Sequence, residues 1–174
     1  METNANQSLE FIAVNPADRR QMRELRKLWI PYWRETGTRD GAKPERRRKI
    51  CRRLKNRVAH ARKTPQTGFY ALYLEGQVIG FSFFGLSGGV KSAGIPPDCG
   101  VVMDFCVAPP FRRRGFATEM NRRMEEVFRG WGIENVFLTP DPVTGEPFWL
   151  SAGYSDSKQT DPGNRRPIYM KKIH

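Results

Sequence analysis

Histidine and cysteine are scarce in this chain of 174 residues. His60 and His174 are the two histidines and lie far apart, so a metal site has little support and none is expected. The cysteines are Cys51, Cys99 and Cys106, an odd number with no CxxC pair. That pattern predicts free thiols rather than a disulfide framework. No apolar run approaches the length of a membrane span. The opening METNANQSLE lacks a basic-then-apolar signal pattern, so a cytoplasmic protein without membrane contact is expected. There is no GxxxxGK, which excludes a Walker-type phosphate loop, and no GxGxxG to indicate a dinucleotide fold. Internal repeats and low-complexity tracts are absent too.

What is present suits a folded globular domain: 39% hydrophobic and 28% charged residues. The length fits one domain with a real core. We expect residues 1–8 to be flexible and residues 9–174 to form that single domain. The net charge is +12 and unevenly placed. Residues 43–63 hold 11 Lys and Arg against one Glu, whereas the rest of the chain holds 19 basic and 17 acidic residues. Basicity thus belongs to one segment.

Taken in order, Leu9–Val14 reads as a strand. Asn15-Pro16-Ala17-Asp18 reads as a helix start, with Asn as cap and Pro at the first helical position. Met22, Leu25, Leu28 and Trp29 then recur at helical spacing until Pro31, which should end or kink the helix, and Thr36–Ala42 reads as a link. Ile50, Leu54, Val58 and Ala61 make one apolar stripe on a second, strongly cationic helix. Phe69–Glu75 and Val78–Leu86 are strands joined at Gly76-Gln77, a tight hairpin signal. A Gly, Ser and Pro-rich loop follows over Ser87–Pro97, and Cys99–Val107 has the continuous apolar character of a central strand. Ala117, Met120, Met124, Val127, Phe128 and Trp131 mark a third helix with Gly130 and Gly132 as its stop. A short strand at Asn135–Leu138, a short helix at Thr144–Ala152 and a last strand at Ile168–Ile173 complete the order. The early meander must be antiparallel, and the strand–helix–strand unit from 99 to 138 should be parallel. The fold class is therefore α/β: a mixed, mostly antiparallel central sheet flanked by helices.

The stretch most suggestive of chemistry is VVMDFCVAPPFRRRGFAT, Val101–Thr118. It passes from a strand through a Pro-Pro break into three arginines, a glycine and a helix start. Backbone N–H groups in the first helical turn lack intrahelical partners, and with the helix dipole they favour an anion. Gly115 lets a ligand approach the backbone closely. The residues alone allow either an unoccupied basic loop or a phosphate cradle.

Arg112-x-x-Gly115-x-Ala117 after a hydrophobic strand resembles the (Q/R)-x-x-G-x-(G/A) signature of the GCN5-related N-acetyltransferases (GNAT). PFWLSAGY, Pro147–Tyr154, resembles that family's later FY-x-x-x-GF segment, and the element order matches over nearly the whole chain. The resemblance implies a GNAT-like fold and an acetyl-CoA-dependent N-acetyltransferase acting on an amine-bearing acceptor. It implies that backbone N–H groups of Arg112, Arg113, Arg114, Gly115, Phe116, Ala117 and Thr118 hold the CoA pyrophosphate. It further implies that Phe105, Cys106 and Val107 pair by backbone with the pantetheine arm, where two neighbouring strands splay apart. A homodimer is also consistent with the family.

Asp104 is a carboxylate inside an apolar strand. It either meets a solvated or hydrogen-bonded face, or serves as the catalytic base that takes a proton from the acceptor amine, directly or through water. Trp149 departs from the family pattern, in which a Tyr at that position often protonates the departing thiolate. An indole N–H donates hydrogen bonds but is not a usable acid. Trp149 is thus expected to orient the thioester or pack on the pantetheine. Neither histidine is near Cys106 in sequence, which favours a buried thiol and direct attack by the amine over an acyl-enzyme. Two alternatives stand beside the enzyme reading: a catalytically weak CoA-binding sensor or partner module, motivated by Trp149, and nucleic-acid or other anion binding through the basic helix 43–63.

Overall fold

The computed structural model describes residues 8–38, 43, 45–90 and 94–174. Apart from Ser8, the flexible N-terminus expected over 1–8 lies outside the described residues, as do 39–42 of the expected link and 91–93 of the Gly/Ser/Pro loop.

Seven strands and four α-helices follow one another as β1 (Leu9–Ala13), α1 (Arg19–Thr38), α2 (Arg47–Lys63), β2 (Thr67–Leu74), β3 (Gln77–Leu86), β4 (Gly100–Val107), α3 (Phe116–Gly130), β5 (Asn135–Leu138), α4 (Glu146–Ser151), β6 (Ser155–Thr160) and β7 (Pro167–Lys172). They form one sheet in the order β1-β2-β3-β4-β5-β7-β6. The β4–β5 pair is parallel and every other pair antiparallel, as the pattern of connections required.

Three local expectations need correction. α1 begins at Arg19, not beside Pro16, because Asp18 Oδ1 caps it by accepting from the Arg20 and Gln21 N–H groups at 2.9 Å each. Asn15 instead closes a turn on the Ala17 N–H at 3.0 Å. α1 also continues through Pro31 to Thr38, so the start of the expected link is its last turn. Pro31 lies on the exposed side, where water can satisfy the carbonyl left without a donor, while buried Leu25, Trp29 and Ile30 hold the helix to the sheet. Finally, β6 was not foreseen. Its sequence SDSKQT is almost wholly exposed and pairs only with β7 at the sheet edge, so it carries no apolar signal.

Helices cover both faces of the sheet. Against one face, α1 and α2 bury Leu25, Trp29, Ile50, Leu54 and Val58 on Phe69, Ala71, Phe81 and Phe83. Against the other, α3 and α4 bury Met124, Phe128 and Trp149 on Phe84, Val102 and Val136. Buried aromatic and aliphatic side chains of this size each contribute about 1.5–3 kcal/mol, and together they bind the helices to the strands.

Two backbone features of β4 shape the site. Phe83 pairs with Asp104 but Phe84 pairs with Val102, so Met103 is an extra residue, a β-bulge. And β5 accompanies β4 only over Gly100–Val102. Past Leu138 the chain runs Thr139-Pro140-Asp141-Pro142, and two prolines without N–H groups cannot extend the ladder. The edge of β4 from Met103 to Val107 therefore has no strand beside it among the described residues.

Candidate active site

The open edge of β4 presents backbone groups. The Ala108 N–H donates to the Ile79 carbonyl at 2.8 Å, which sets the alternation for the residues before it. Cys106 is directed towards β3, and the N–H and C=O of Phe105 and Val107 towards the open side. The Val107 carbonyl accepts from Arg112 Nε at 2.9 Å. No partner for the Phe105 or Val107 N–H is found among the described residues.

The loop at the end of β4 makes a second cluster of donors. Pro109–Phe111 forms a single 3-10 turn, closed by the Phe111 N–H on Ala108 and the Arg112 N–H on Pro109 at 3.2 Å. The Arg112 N–H is thereby engaged, although its side chain still ties the loop to β4. Arg113 (φ 63°) and Gly115 (φ 83°) are both left-handed, which turns the chain sharply into α3. The first donor bonded across the helix start is Glu119, on the Gly115 carbonyl at 3.1 Å. The N–H groups from Arg113 to Thr118 have no backbone partner among the described residues. Consecutive unpaired N–H groups at a helix start make a concavity suited to an anion. Arg114 lies over the Phe111 and Phe116 rings, at 5.9 and 5.2 Å, so its charge stays beside the loop.

The bulge at Met103 decides where Asp104 points. Strict alternation places Asp104 with Val102, on the α3 side. The extra residue turns Asp104 and Cys106 to the α1–α2 side, and Phe105 and Val107 to the other. Asp104 is only 3% exposed. Its Oδ1 accepts from the Tyr32 hydroxyl at 3.2 Å, and its Oδ2 lies 3.2 Å from Arg57 Nε, an ion pair in which the N–H is not aimed at the oxygen. Burial raises the Asp104 pKa above the ordinary carboxylate value, against the opposing pull of Arg57, Tyr32 and Arg53. Burial, and then the Asp104 charge, raise the Tyr32 hydroxyl well above its usual range.

Beside this pair is a recess of about 160 Å³, whose walls include Leu28, Tyr32, Glu35, Cys106 and Arg112. Tyr32 borders the recess and Asp104 does not, so Tyr32 is the member of the pair that meets it. Burial pushes the Cys106 thiol up to about 12, so the thiol is protonated at neutral pH. Trp149 is buried on the opposite face, its ring 4.8 Å from Phe105 and 5.0 Å from Tyr154. Tyr154 is buried as well. Its hydroxyl donates to Asn121 Oδ1 at 3.5 Å, and burial raises it far above the usual tyrosine range, so it stays protonated at neutral pH.

The structure thus groups Phe105 and Val107 with the loop Arg112–Thr118 along one edge, and sets Asp104 and Cys106 on the α1–α2 side. Tyr32, Arg57 and Glu35 were not singled out from sequence. Arg57 is one of nine cations in α2, and only its contact with a strand residue 47 positions later distinguishes it.

A family model described as the acetyltransferase (GNAT) family matches residues 22–146. A search of curated protein sequences finds no match. The fold is similar to that of the PaiA N-acetyltransferase from Thermoplasma acidophilum, solved in complex with coenzyme A, with a TM-score of 0.71 and 16% identity over 95% of this chain and 99% of that one. It is similar also to an acetyltransferase from Thermus thermophilus (TM-score 0.70, 15% identity, 95% and 97% covered). A third is a GNAT family acetyltransferase from Brucella melitensis in complex with acetyl-CoA (TM-score 0.61, 15% identity, 97% and 90% covered).

Proposed function

The chain belongs to the acetyltransferase (GNAT) family, and on that footing we propose that it is an acetyl-CoA-dependent N-acetyltransferase working by direct attack of an amine on the thioester. The observation that carries the reading is the unpaired edge of β4, leading straight into the unpaired N–H groups of Arg113–Thr118. A pantetheine arm carries amide groups at its centre and a pyrophosphate at one end, and these two donor sets complement both. Acetyl-CoA supplies a reactive acyl group; the chain's own residues supply position and proton handling.

In this reading the Phe105 and Val107 backbone pairs with the pantetheine amides, and the Val107 N–H also faces the thioester oxygen, where charge develops during attack. Arg113–Thr118 hold the pyrophosphate, with Arg113 and Arg114 adding attraction. The acceptor amine enters through the recess beside Tyr32. Its nitrogen bonds to the acyl carbon as the carbon–sulfur bond breaks. The excess proton passes to the Tyr32 oxygen while the Tyr32 proton moves to Asp104 Oδ1 along their 3.2 Å hydrogen bond. A carboxylate whose proton affinity is raised by burial is suited to that role. The thiolate takes its proton from water, since neither Trp149 nor Tyr154 supplies one, and Asp104 returns the amine's proton to that water by way of Tyr32, which restores the starting state.

Titration calorimetry with acetyl-CoA, joined to a thiol-release assay over a panel of amines, tests this function. Binding together with amine-dependent thiol release is expected; absence of binding at millimolar ligand overturns it. Cys106→Ala should retain turnover, whereas complete loss with the fold intact would indicate an acyl-enzyme. Trp149 favours a second reading, a CoA-binding module with little turnover. Tight binding without thiol release from any amine would establish that reading instead.

A further inference from the structure

α2 carries nine Lys and Arg in 17 residues and no acid. Its cations divide by face. Arg53 and Arg57 lie on the flanks of the buried Ile50, Leu54 and Val58, where they meet Glu45 and Asp104. Lys49 also pairs with Glu45. Arg48, Arg52, Lys55 and Lys63 lie off that stripe, Arg62 follows Val58 at its C-terminal end, and all five are exposed. None of these five has an acidic partner among the described residues. From Arg48 to Lys63 the row is roughly 22 Å long at 1.5 Å per residue.

The row is also unfavourable for the helix that bears it. The α2 N-terminus begins at Arg46, which makes no side-chain cap, and continues Arg47-Arg48-Lys49 with no acid in the first turn. Cations there oppose the helix dipole, and like charges spaced as Arg48 and Arg52 are repel each other. Among the described residues Glu45 offsets part of this charge through Lys49 and Arg53, and no acid meets the outward row; a charge arrangement that the fold itself does not balance is expected where a partner supplies the balance.

We propose that the outer face of α2 binds the phosphate backbone of a nucleic acid without sequence preference. Ala59 is the sole apolar residue of the face, so there is nothing to insert into a lipid surface. There is likewise no aromatic or aliphatic anchor of the kind that dominates a protein–protein contact. A phosphate backbone requires neither. It is bound by evenly spaced cations that release its counterions, and the row matches the axial length of about six base pairs. The absence of an aromatic side chain removes the ring platforms on which unpaired bases stack, so the phosphates carry the contact.

The test is fluorescence anisotropy of the full chain with three labelled probes, single-stranded RNA, duplex RNA and duplex DNA, over a range of salt. Vesicles containing phosphatidylserine and polyglutamate are the comparison anions. We expect at least one nucleic acid to bind more tightly than both comparisons, with log affinity against log salt falling at a slope of about −4.5 for a duplex contacting all five cations. Arg52→Glu with Lys55→Glu should weaken binding at least tenfold and reduce the slope by about 2. The same variant should leave the thermal midpoint and acetyl-CoA affinity unchanged, because both side chains face solvent. The proposal is overturned by no binding at low salt, by equal or tighter binding to vesicles or polyglutamate, or by unchanged affinity in the double variant. Which of the three probes binds best identifies the type of nucleic acid.

Discussion

Replacing Arg57 by methionine should strand the Asp104 carboxylate in the core. Methionine retains apolar contact with the Phe83 ring, over which the guanidinium now sits at 4.6 Å, so the change isolates the charge. Removing one member of a buried ion pair costs about 3–5 kcal/mol. The lower end applies, because the Arg57 side chain is 24% exposed although Asp104 is 3% exposed. A loss of about 3 kcal/mol corresponds to a fall of about 10 °C in thermal midpoint for a chain of this size. Asp104→Asn keeps the shape and the acceptor for Tyr32 while removing the charge, and should stay within about 1 kcal/mol of the parent. The double variant should then recover at least half of what Arg57→Met loses. The pH dependence follows in sign. The folded pKa of Asp104 is raised, so the folded chain holds that proton more tightly than the unfolded chain does. Its contribution to stability therefore declines as pH rises through that range, and removal of Arg57 steepens the decline. The gap between parent and Arg57→Met should be widest at neutral pH and narrow in acid. Urea denaturation of the four chains at neutral and acidic pH measures all of this. A loss under about 1 kcal/mol at neutral pH, or no recovery in the double variant, would refute a buried charge pair that fastens α2 to β4.

Gly115→Ala would strain a residue at φ 83° by about 1–2 kcal/mol, although its new methyl meets no protein atom within 4 Å. The methyl would sit at the donor concavity, so calorimetry should show acetyl-CoA affinity falling at least tenfold, and an unchanged affinity would count against the pyrophosphate site. Trp149→Tyr restores an acidic hydroxyl and should raise thioester turnover at least tenfold, since general acids commonly contribute 10²–10⁴-fold. Trp149→Phe is the control, and equal rates in the two variants would show that no missing acid limits the reaction. Gly80→Ala would bring a methyl to 2.7 Å from the Cys106 carbonyl oxygen, backbone that cannot rotate away. Urea denaturation should show a loss of about 1–3 kcal/mol, and full retention of stability would mean that β3 and β4 can separate freely.

Much of the architecture was legible because its signals are local. Ile50, Leu54 and Val58 repeat at helical spacing and do become the buried stripe of α2. Gly76 sits at φ 77° in the tight turn between β2 and β3, where that sign of φ favours glycine. The Pro-Pro break, the three arginines and Gly115 marked the end of a strand and the start of α3 within one residue of where the structure has them. What failed was also physical. β6 has no apolar face to reveal it, and Pro31 does not end α1, because the burial of Leu25, Trp29 and Ile30 holds the helix together.

The sequence by itself determined six of the seven strands, the four α-helices, their order and the place of the Arg112–Thr118 loop, because hydrophobic period, prolines and glycines act over a few neighbouring residues. Only the tertiary structure decided what Asp104 meets. Its face depends on the Met103 bulge, which exists only in pairing with β3. Its partners, Tyr32 and Arg57, reach it from two helices far away in sequence. The gap between β4 and β5 is likewise a relation between strands, set by where Pro140 and Pro142 turn one of them aside. Such relations arise when distant segments compete for the same core, and no window of neighbouring residues contains them.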